Sequence, residues 1–418
     1  MLDRRSLLLG AAAAGFAAPL SASRAWARIA VQPPASAGFS AAGVAKLNSE
    51  MHALVDQQKL AGVVTLLARK GKVVNLDAYG KQDASGPAPM ATDSIFRIAS
   101  MTKPITGVAM MQLWEQGKWK LDDPVATHIP EFAGLKVKAG DTLVDPATPM
   151  TMAQLMSHTA GFGVSAVYDK AGLNETDLQG MIDKLAKLPL VSQPGTDWAY
   201  GPCVNIQGYV VEKLSGMDLA DYFQRHIFDP LKMPDTQFWV DPSKLSRLVR
   251  IHTYDAAGRI GPAADTPRPA TSKPRFLAGS GGLVSTASDY FRFCQALLNG
   301  GELEGARVLK PETVRLMRRS VLRPGVGVDL YGPVQKGIGF GLDFAVHERP
   351  AESGLPQGQD SYWWGGAFGT WFWIDPTHDI VFVGMIQNIR GSVPGGGTPD
   401  LRLISPTAVY AALTDRKG

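Results

Sequence analysis

The 418-residue sequence has few of the residues that form disulfides or bind metals. It contains only two cysteines, Cys203 and Cys294, so a disulfide framework and a zinc-ligand spacing are excluded, and the pair is either bonded or separately buried. The seven histidines are scattered without an H-x-H or H-E-x-x-H pattern, and we expect no metal. There is no basic run, and the formal net charge is only +4, which argues against a nucleic-acid partner. No G-x-S-x-G elbow, Walker loop or dinucleotide fingerprint occurs, so an α/β-hydrolase and a nucleotide cofactor are not expected.

The first 27 residues have the composition of an export signal. Arg4 and Arg5 precede a mild, Ala/Gly-rich apolar run that ends at Leu20, and residues 25–27 form an A-x-A site. The run is too short, and its residues are too small, for an anchor helix that spans a bilayer. We therefore expect a Tat-type signal peptide over residues 1–27, a periplasmic or secreted protein, and no stable membrane insertion after cleavage.

Strand patterns lie toward both ends of the chain, around a middle that is rich in helices and prolines. Residues 62–68 and 73–76 predict one antiparallel hairpin, and residues 371–374 and 380–386 predict another. Apolar periodicity predicts one helix after Ser40 and another after Thr286. It also predicts a closing helix at residues 406–413 and four helices in the middle of the chain, at residues 152–156, 178–186, 204–214 and 219–227.

This distribution of elements predicts an α+β fold with two parts. Residues 28–120 and 272–418 would form a discontinuous domain around an antiparallel sheet flanked by helices. Residues 121–271 would form a mostly helical lobe. A cleft between the two parts is then the expected place for an active site.

Ser100 and Lys103 stand at the start of an apolar segment that runs to Gly117. The pattern predicts a helix with Ser100 as its N-cap. At a spacing of three residues, the hydroxyl and the amine lie on the same side of one turn. A serine hydroxyl is a weak nucleophile until a base takes its proton, and a desolvated lysine can be that base. The alternative is a capped, buried helix with a surface lysine.

Tyr200 is the candidate for a further proton-handling group. It stands in a Pro/Gly-rich loop, residues 193–202, just before the helix predicted at Val204. A nearby ammonium favours the phenolate form, so Lys103 is suited to prepare Tyr200 to receive or pass a proton. The alternative is an ordinary loop or core tyrosine. His158 is expected to be a hydrogen-bonded structural histidine, because nothing near it in the sequence needs a catalyst.

Two tryptophans and three glycines lie together in residues 363–369, at the start of the second predicted hairpin. Glycines inside a strand usually mark the close approach of a ligand or another backbone. Here they would let a substrate lie along the strand edge, where a backbone N–H meets the oxyanion of a tetrahedral intermediate. The alternative is an aromatic strand whose glycines relieve crowding.

The three motifs together resemble the family VIII carboxylesterases, which are relatives of class C β-lactamases and D-alanyl-D-alanine peptidases. S-x-x-K is the signature of these penicillin-recognising serine enzymes. Residues 157–162 and 282–287 and the turn at Asp375-Pro376 are similar to that superfamily too, so the resemblance covers essentially the whole chain after residue 27.

The resemblance implies a β-lactamase-like fold, no cofactor and a role for each motif. By it, Ser100 is the acylated nucleophile, Lys103 the base that activates it, and Tyr200 the proton shuttle. The backbone N–H groups of Ser100 and Ala367 would form the oxyanion hole. Substrate contacts are expected from the neighbouring residues of the same segment: Trp364, Gly365, Gly366 and Phe368.

Two departures from the lactamase pattern favour an ester as the substrate. Residues 200–202 read Tyr-Gly-Pro where lactamases have Tyr-x-Asn, and Pro202 has no side-chain donor for a β-lactam amide. Trp364 replaces the lysine that pairs with a substrate carboxylate. We therefore expect a serine carboxylesterase for small-molecule esters, with short acyl chains implied by the resemblance. The alternatives are a β-lactamase or D-alanyl-D-alanine carboxypeptidase, an acyltransferase or amide hydrolase, and a periplasmic binding or penicillin-sensing module that is acylated without turnover or not at all.

Overall fold

The computed structural model describes residues 29–164, 166–255, 257–264, 270–329, 333–389 and 400–415. The signal peptide predicted over residues 1–27 lies outside these ranges. No helix within them is both long enough and apolar enough to cross a membrane. The strands are β1 (Gly62–Arg69), β2 (Lys72–Gly80), β3 (Phe96–Arg97), β4 (Val137–Ala139), β5 (Thr142–Val144), β6 (His252–Tyr254), β7 (Ile260–Pro262), β8 (Val284–Ser285), β9 (Glu302–Leu303), β10 (Ala306–Arg307), β11 (Ile338–Phe340), β12 (Ala345–His347), β13 (Tyr362–Gly365), β14 (Trp371–Asp375) and β15 (Ile380–Met385).

The largest sheet of the described chain has seven strands in the order β11-β12-β13-β14-β15-β1-β2, and its neighbouring strands run antiparallel. Both predicted hairpins are present, as β1 with β2 and as β14 with β15. Pairing of β1 with β15, with Leu66 opposite Val383, joins the early and late parts of the chain. The expected α+β architecture with a large antiparallel sheet is confirmed, while the exact domain boundaries stay a prediction.

Helices cover both faces of this sheet. The helices of the described chain are α1 (Ala41–Asp56), α2 (Thr102–Glu115), α3 (Val125–His128), α4 (Met152–Met156), α5 (Ala166–Lys170), α6 (Leu178–Leu185), α7 (Cys203–Ser215), α8 (Leu219–Phe223), α9 (Asp229–Leu231), α10 (Ala287–Leu298), α11 (Pro311–Met317), α12 (Pro350–Ser353) and α13 (Leu401–Ala411).

Successive side chains of β1 point to opposite faces of the sheet and therefore into two different cores. Val63 packs with Leu47 of α1 and Val409 of α13 in the smaller core. Val64 packs in the larger core, which also holds Ile105 of α2 and the apolar side chains of the middle helices. Burial on both faces explains why β1 and β15 read as continuous apolar runs.

Three local predictions need correction. Ser100 does not cap α2, because a 3-10 turn at Ala99–Met101 precedes the helix and the Ser100 hydroxyl contacts the Lys103 amine instead. The closing helix begins at Leu401, where Asp400 caps it, and Pro406 lies inside it. The helix predicted over residues 219–227 is α8 followed by a π-helical turn at Gln224–Phe228. By contrast, the Ser40 cap is confirmed by a 3.0 Å bond from the Gly43 N–H to the Ser40 hydroxyl.

Candidate active site

The entry to α2 brings Ser100 and Lys103 together. Strand β3 pairs with β8, and the chain then turns through Ala99 with a left-handed φ of +45°. Lys103 Nζ donates to Ser100 Oγ at 3.0 Å and to the Ser280 carbonyl oxygen at 2.7 Å. Its side chain is buried, with 4% of the residue exposed. The amine is therefore desolvated and in contact with the hydroxyl, and the lysine does not lie on the surface.

Tyr200 lies beside this pair but is not hydrogen-bonded to it. Lys103 Nζ sits over the face of the Tyr200 ring, 4.6 Å from its centroid. The Tyr200 hydroxyl accepts a 3.3 Å bond from Trp364 Nε1. Among the described residues, no hydrogen bond joins this hydroxyl to Ser100 or Lys103. The structure thus brings the tyrosine to the site, with its ring rather than its oxygen toward the lysine.

His158 is fully buried and lies behind Tyr200 in an aromatic cluster. Its ring centroid is 4.8 Å from that of Tyr200 and 5.7 Å from that of Trp198. Neither ring nitrogen has a hydrogen-bond partner within the described part of the chain. Burial, with a smaller contribution from the Lys103 charge, lowers the pKa of His158 to about 3. The prediction of a hydrogen-bonded histidine is therefore wrong: His158 is a neutral ring held by packing.

The predicted substrate-binding segment ends a strand instead of lying within one. Strand β13 stops at Gly365, and residues 366–369 turn toward β14. The Gly366 N–H donates to the Thr370 carbonyl oxygen at 2.7 Å, and a Cβ on Gly366 would lie 2.4 Å from the Ile98 carbonyl oxygen. The turn therefore presses against the residues that precede Ser100. The Ala367 N–H donates to no acceptor among the described residues, so it is available to a bound substrate.

A cavity of about 900 Å³ opens over these groups. Trp363, Trp364, Ile338 and Leu355 give it an apolar wall. Of the predicted site residues, the lining includes Ser100, Tyr200, Trp364, Gly365, Gly366 and Ala367. Lys103 lies behind Ser100, and Phe368 does not line the cavity. Charged side chains also line it: Lys336, Asp400 and Arg402.

The segment that holds the lysine is a functional part of the site that the sequence does not predict. Residues 279–283 run beside the start of α2, and the Ser280 carbonyl is the second acceptor for Lys103. The only sequence signal is the Gly/Ser-rich character of residues 278–282, which does not reveal a main-chain contact.

The two cysteines are separate, buried thiols. Burial raises the pKa of Cys203 to about 12, so it is not a reactive thiolate. Within the described ranges, no group of three or more His, Cys, Asp or Glu side chains is placed to hold a metal.

Comparison with known proteins agrees with this fold. Residues 47–400 match the model of the beta-lactamase family. The chain is 33% identical over 376 residues to an uncharacterised Mycobacterium tuberculosis protein, with 85% of this chain and 90% of the relative covered. It is 30% identical over 374 residues to esterase EstB of Burkholderia gladioli, with 82% and 90% covered. The structure of EstCE1, described as a hydrolase with promiscuous acyltransferase activity, superposes with a TM-score of 0.76 at 27% identity, covering 88% of this chain and 99% of that one.

The chain therefore belongs to the beta-lactamase family of serine hydrolases. The similarity to EstB and to EstCE1 confirms the resemblance within that family to the family VIII carboxylesterases.

Proposed function

We propose that this protein is a serine carboxylesterase that cleaves neutral small-molecule esters through an acyl-enzyme on Ser100. The observation that carries the proposal is the 3.0 Å contact between Ser100 Oγ and the buried Lys103 Nζ at the floor of the cavity. At this distance a proton passes between hydroxyl and amine without further movement. The neutral amine takes the hydroxyl proton while the oxygen attacks the ester carbonyl.

The turn at residues 366–369 would stabilise the tetrahedral intermediate. The N–H groups of Ala367 and Ser100 are the donors proposed for the oxyanion, and fixed main-chain donors contribute strongly because they need no reorganisation. The alcohol then departs with the proton from Lys103. Water repeats the sequence on the acyl-enzyme and releases the acid.

Tyr200 is proposed to pass the proton toward the leaving alcohol. Its hydroxyl is oriented by the Trp364 Nε1–H, and its ring lies under the Lys103 amine. Because the hydroxyl does not touch the amine directly, we propose that the leaving oxygen or a water completes the path between them.

The cavity wall supports a neutral ester. Trp363 and Trp364 offer apolar contact where the related lactamases carry a cation, and such contact contributes about 25 cal/mol per Å² of apolar surface removed from water. The similarity to EstB and EstCE1 supports the same choice. Short acyl chains remain part of the proposal by resemblance, and acyl transfer to an alcohol is the closest variant of the same chemistry.

One observation favours a second candidate, a β-lactamase or D-alanyl-D-alanine carboxypeptidase. The Arg402 guanidinium lies against β13, so closely that a Cβ on Gly365 would be 2.1 Å from its Nη2. A cation on this wall suits a substrate carboxylate.

A substrate panel separates the two functions. We expect rapid hydrolysis of p-nitrophenyl acetate and slow or no hydrolysis of nitrocefin. Efficient nitrocefin turnover without ester cleavage would reverse the assignment. Added alcohol acceptors test for acyl transfer by the appearance of a new ester.

The nucleophile is tested directly by covalent labelling. A fluorophosphonate should modify Ser100, as identified by peptide mass spectrometry, and Ser100→Ala should abolish both labelling and ester turnover while the protein still folds. Retained turnover in this variant would place the site elsewhere.

We also propose export by the Tat pathway, which rests on the sequence of residues 1–27. Replacing Arg4 and Arg5 with lysine should hold the protein in the cytoplasm with its leader uncleaved. Unchanged delivery to the periplasm or medium would contradict this.

A further inference from the structure

The segment 279–283 is bonded along the first turns of α2. Thr106 Oγ1 donates to the Gly279 carbonyl oxygen at 2.7 Å, and Lys103 Nζ donates to the Ser280 carbonyl oxygen at 2.7 Å. The Leu283 N–H donates to Thr102 Oγ1 at 3.2 Å. The segment whose Ser280 carbonyl holds the amine is therefore bonded, through its neighbouring residues Gly279 and Leu283, to the helix that carries the amine.

Asn205 fixes the same segment from the opposite side. It lies on α7, and its Oδ1 accepts the Ser280 N–H at 2.9 Å. Only 8% of Asn205 and none of Thr106 is exposed. The space between the two helices is tight, because a Cβ on Gly279 would lie 3.0 Å from the Val204 carbonyl oxygen. The peptide group that joins Gly279 to Ser280 is thus held from two sides: Thr106 of α2 binds its carbonyl oxygen, and Asn205 of α7 binds its N–H.

This arrangement has a chemical consequence for the amine. A neutral amine has two N–H donors and one lone pair. In the neutral form, one N–H is given to the fixed Ser280 carbonyl, and the 3.0 Å contact with Ser100 runs the other way, from the hydroxyl to the nitrogen lone pair. The carbonyl restricts rotation about the last bond of Lys103 and so keeps the lone pair toward the hydroxyl. Catalysis depends steeply on such placement, since a misplacement of about 1 Å is enough to lower a rate about 100-fold.

We propose that Asn205 and Thr106 are positioning residues of the Ser100–Lys103 pair, which they orient through the main chain of Gly279 and Ser280. Neither side chain touches the serine or reaches substrate in this role. The inference rests on the proposed function, because it assigns their effect to the activation of Ser100.

The test measures the nucleophilicity of Ser100 in variants of the two residues. Asn205→Leu removes the acceptor at similar size, and Thr106→Val removes the donor without changing shape. Thr313→Val is the matched control, because Thr313 is equally buried but its hydroxyl has no partner in the described structure. For each variant we would measure the rate of fluorophosphonate labelling, kcat and KM for p-nitrophenyl acetate, and thermal unfolding.

We expect Asn205→Leu to slow labelling and kcat about tenfold or more, with KM within about twofold of the wild type. Thr106→Val should slow both about three- to tenfold, and Thr313→Val should leave both unchanged. Asn205→Asp keeps the acceptor oxygen and should label within about threefold of the wild-type rate at alkaline pH.

Wild-type labelling rates in Asn205→Leu and Thr106→Val would overturn the proposal. It is also overturned if all variants, including Asn205→Asp and Thr313→Val, lose rate in proportion to their loss of thermal stability. If Asn205→Leu does not fold, Thr106→Val decides alone. The Ser100→Ala variant distinguishes a failure of this inference from a failure of the proposed function. An inactive Ser100→Ala together with a fully active Asn205→Leu refutes only this inference, whereas an active Ser100→Ala refutes the proposed function.

Discussion

Asp289 leads to a prediction of how the stability of the protein changes with pH. It lies in the first turn of α10, 5% exposed, and its Oδ2 accepts the Asp235 N–H at 2.7 Å and the Thr236 hydroxyl at 3.0 Å. Burial, followed by the negative charge of Asp235, raises the pKa of Asp289 from 3.8 to about 7. The cations that face it, Lys244 and Arg247, are already paired with Asp235.

The raised pKa makes the folded state lose stability as the pH rises. Between pH 3.8 and about 7 the folded protein keeps a proton on Asp289 that the unfolded chain has released, so the free energy of unfolding falls across this window and levels off above it. Each pKa unit corresponds to about 1.4 kcal/mol, so the difference in pKa corresponds to a total on the order of 4 kcal/mol.

Asp289→Asn removes the titration and keeps the acceptor oxygen for both hydrogen bonds. We expect the variant and the wild type to have similar stability at pH 4, and the variant to be more stable at pH 8 by up to about 4 kcal/mol. Urea unfolding followed by tryptophan fluorescence at both pH values measures this. Ester turnover should stay unchanged, because Asp289 does not line the catalytic cavity. A variant that is equally stable or less stable than the wild type at pH 8 would refute the reasoning.

Three further predictions concern the site. Trp364→Phe removes the donor to the Tyr200 hydroxyl and should lower kcat for p-nitrophenyl acetate about two- to tenfold, whereas Tyr200→Phe should lower it about 100-fold; equal effects would contradict the shuttle role. Gly366→Ala places a Cβ 2.4 Å from the Ile98 carbonyl oxygen, so it should displace the turn at residues 366–369, which carries the proposed oxyanion donor, and lower fluorophosphonate labelling about 100-fold or more; a wild-type rate would contradict this. His158 has a pKa of about 3 when folded and 6.5 as a reference, so stability should fall as the pH drops from 6.5 toward 3, by about 1.4 kcal/mol per pH unit. In His158→Asn, whose side chain tolerates the φ of +59° at this position, urea unfolding should show a weaker acid dependence, and an unchanged one would be evidence against a buried neutral ring.

Local patterns in the sequence were sufficient for the features that depend on near neighbours. The hairpins follow from apolar alternation and turn residues, and the contact between Ser100 and Lys103 follows from their spacing of three. The start of the closing helix was misplaced because a proline usually marks a first turn, while Pro406 lies within α13.

The orientation of side chains in the site cannot be predicted from local sequence patterns. Whether Tyr200 presents its oxygen or its ring to Lys103 depends on contacts with Trp364 and His158, which lie far away in the sequence. His158 was expected to have a hydrogen-bond partner, since buried polar groups usually do. Its aromatic surroundings are a tertiary feature, and no local motif indicates them.

Two main-chain groups take part in the proposed mechanism: the Ser280 carbonyl, which accepts from Lys103, and the Ala367 N–H, the proposed oxyanion donor. A carbonyl at position 280 and an N–H at position 367 are supplied by almost any residue. The preceding residues, by contrast, leave little room for a side chain. A Cβ on Gly279 would lie 3.0 Å from the Val204 carbonyl oxygen, and a Cβ on Gly366 would lie 2.4 Å from the Ile98 carbonyl oxygen. The functional requirement therefore falls on the glycine that precedes each contributing residue, and on Asn205 and Thr106, whose side chains hold one of the two paths in place. A search for catalytic side chains alone overlooks these positions, although the geometry of the serine and lysine depends on them.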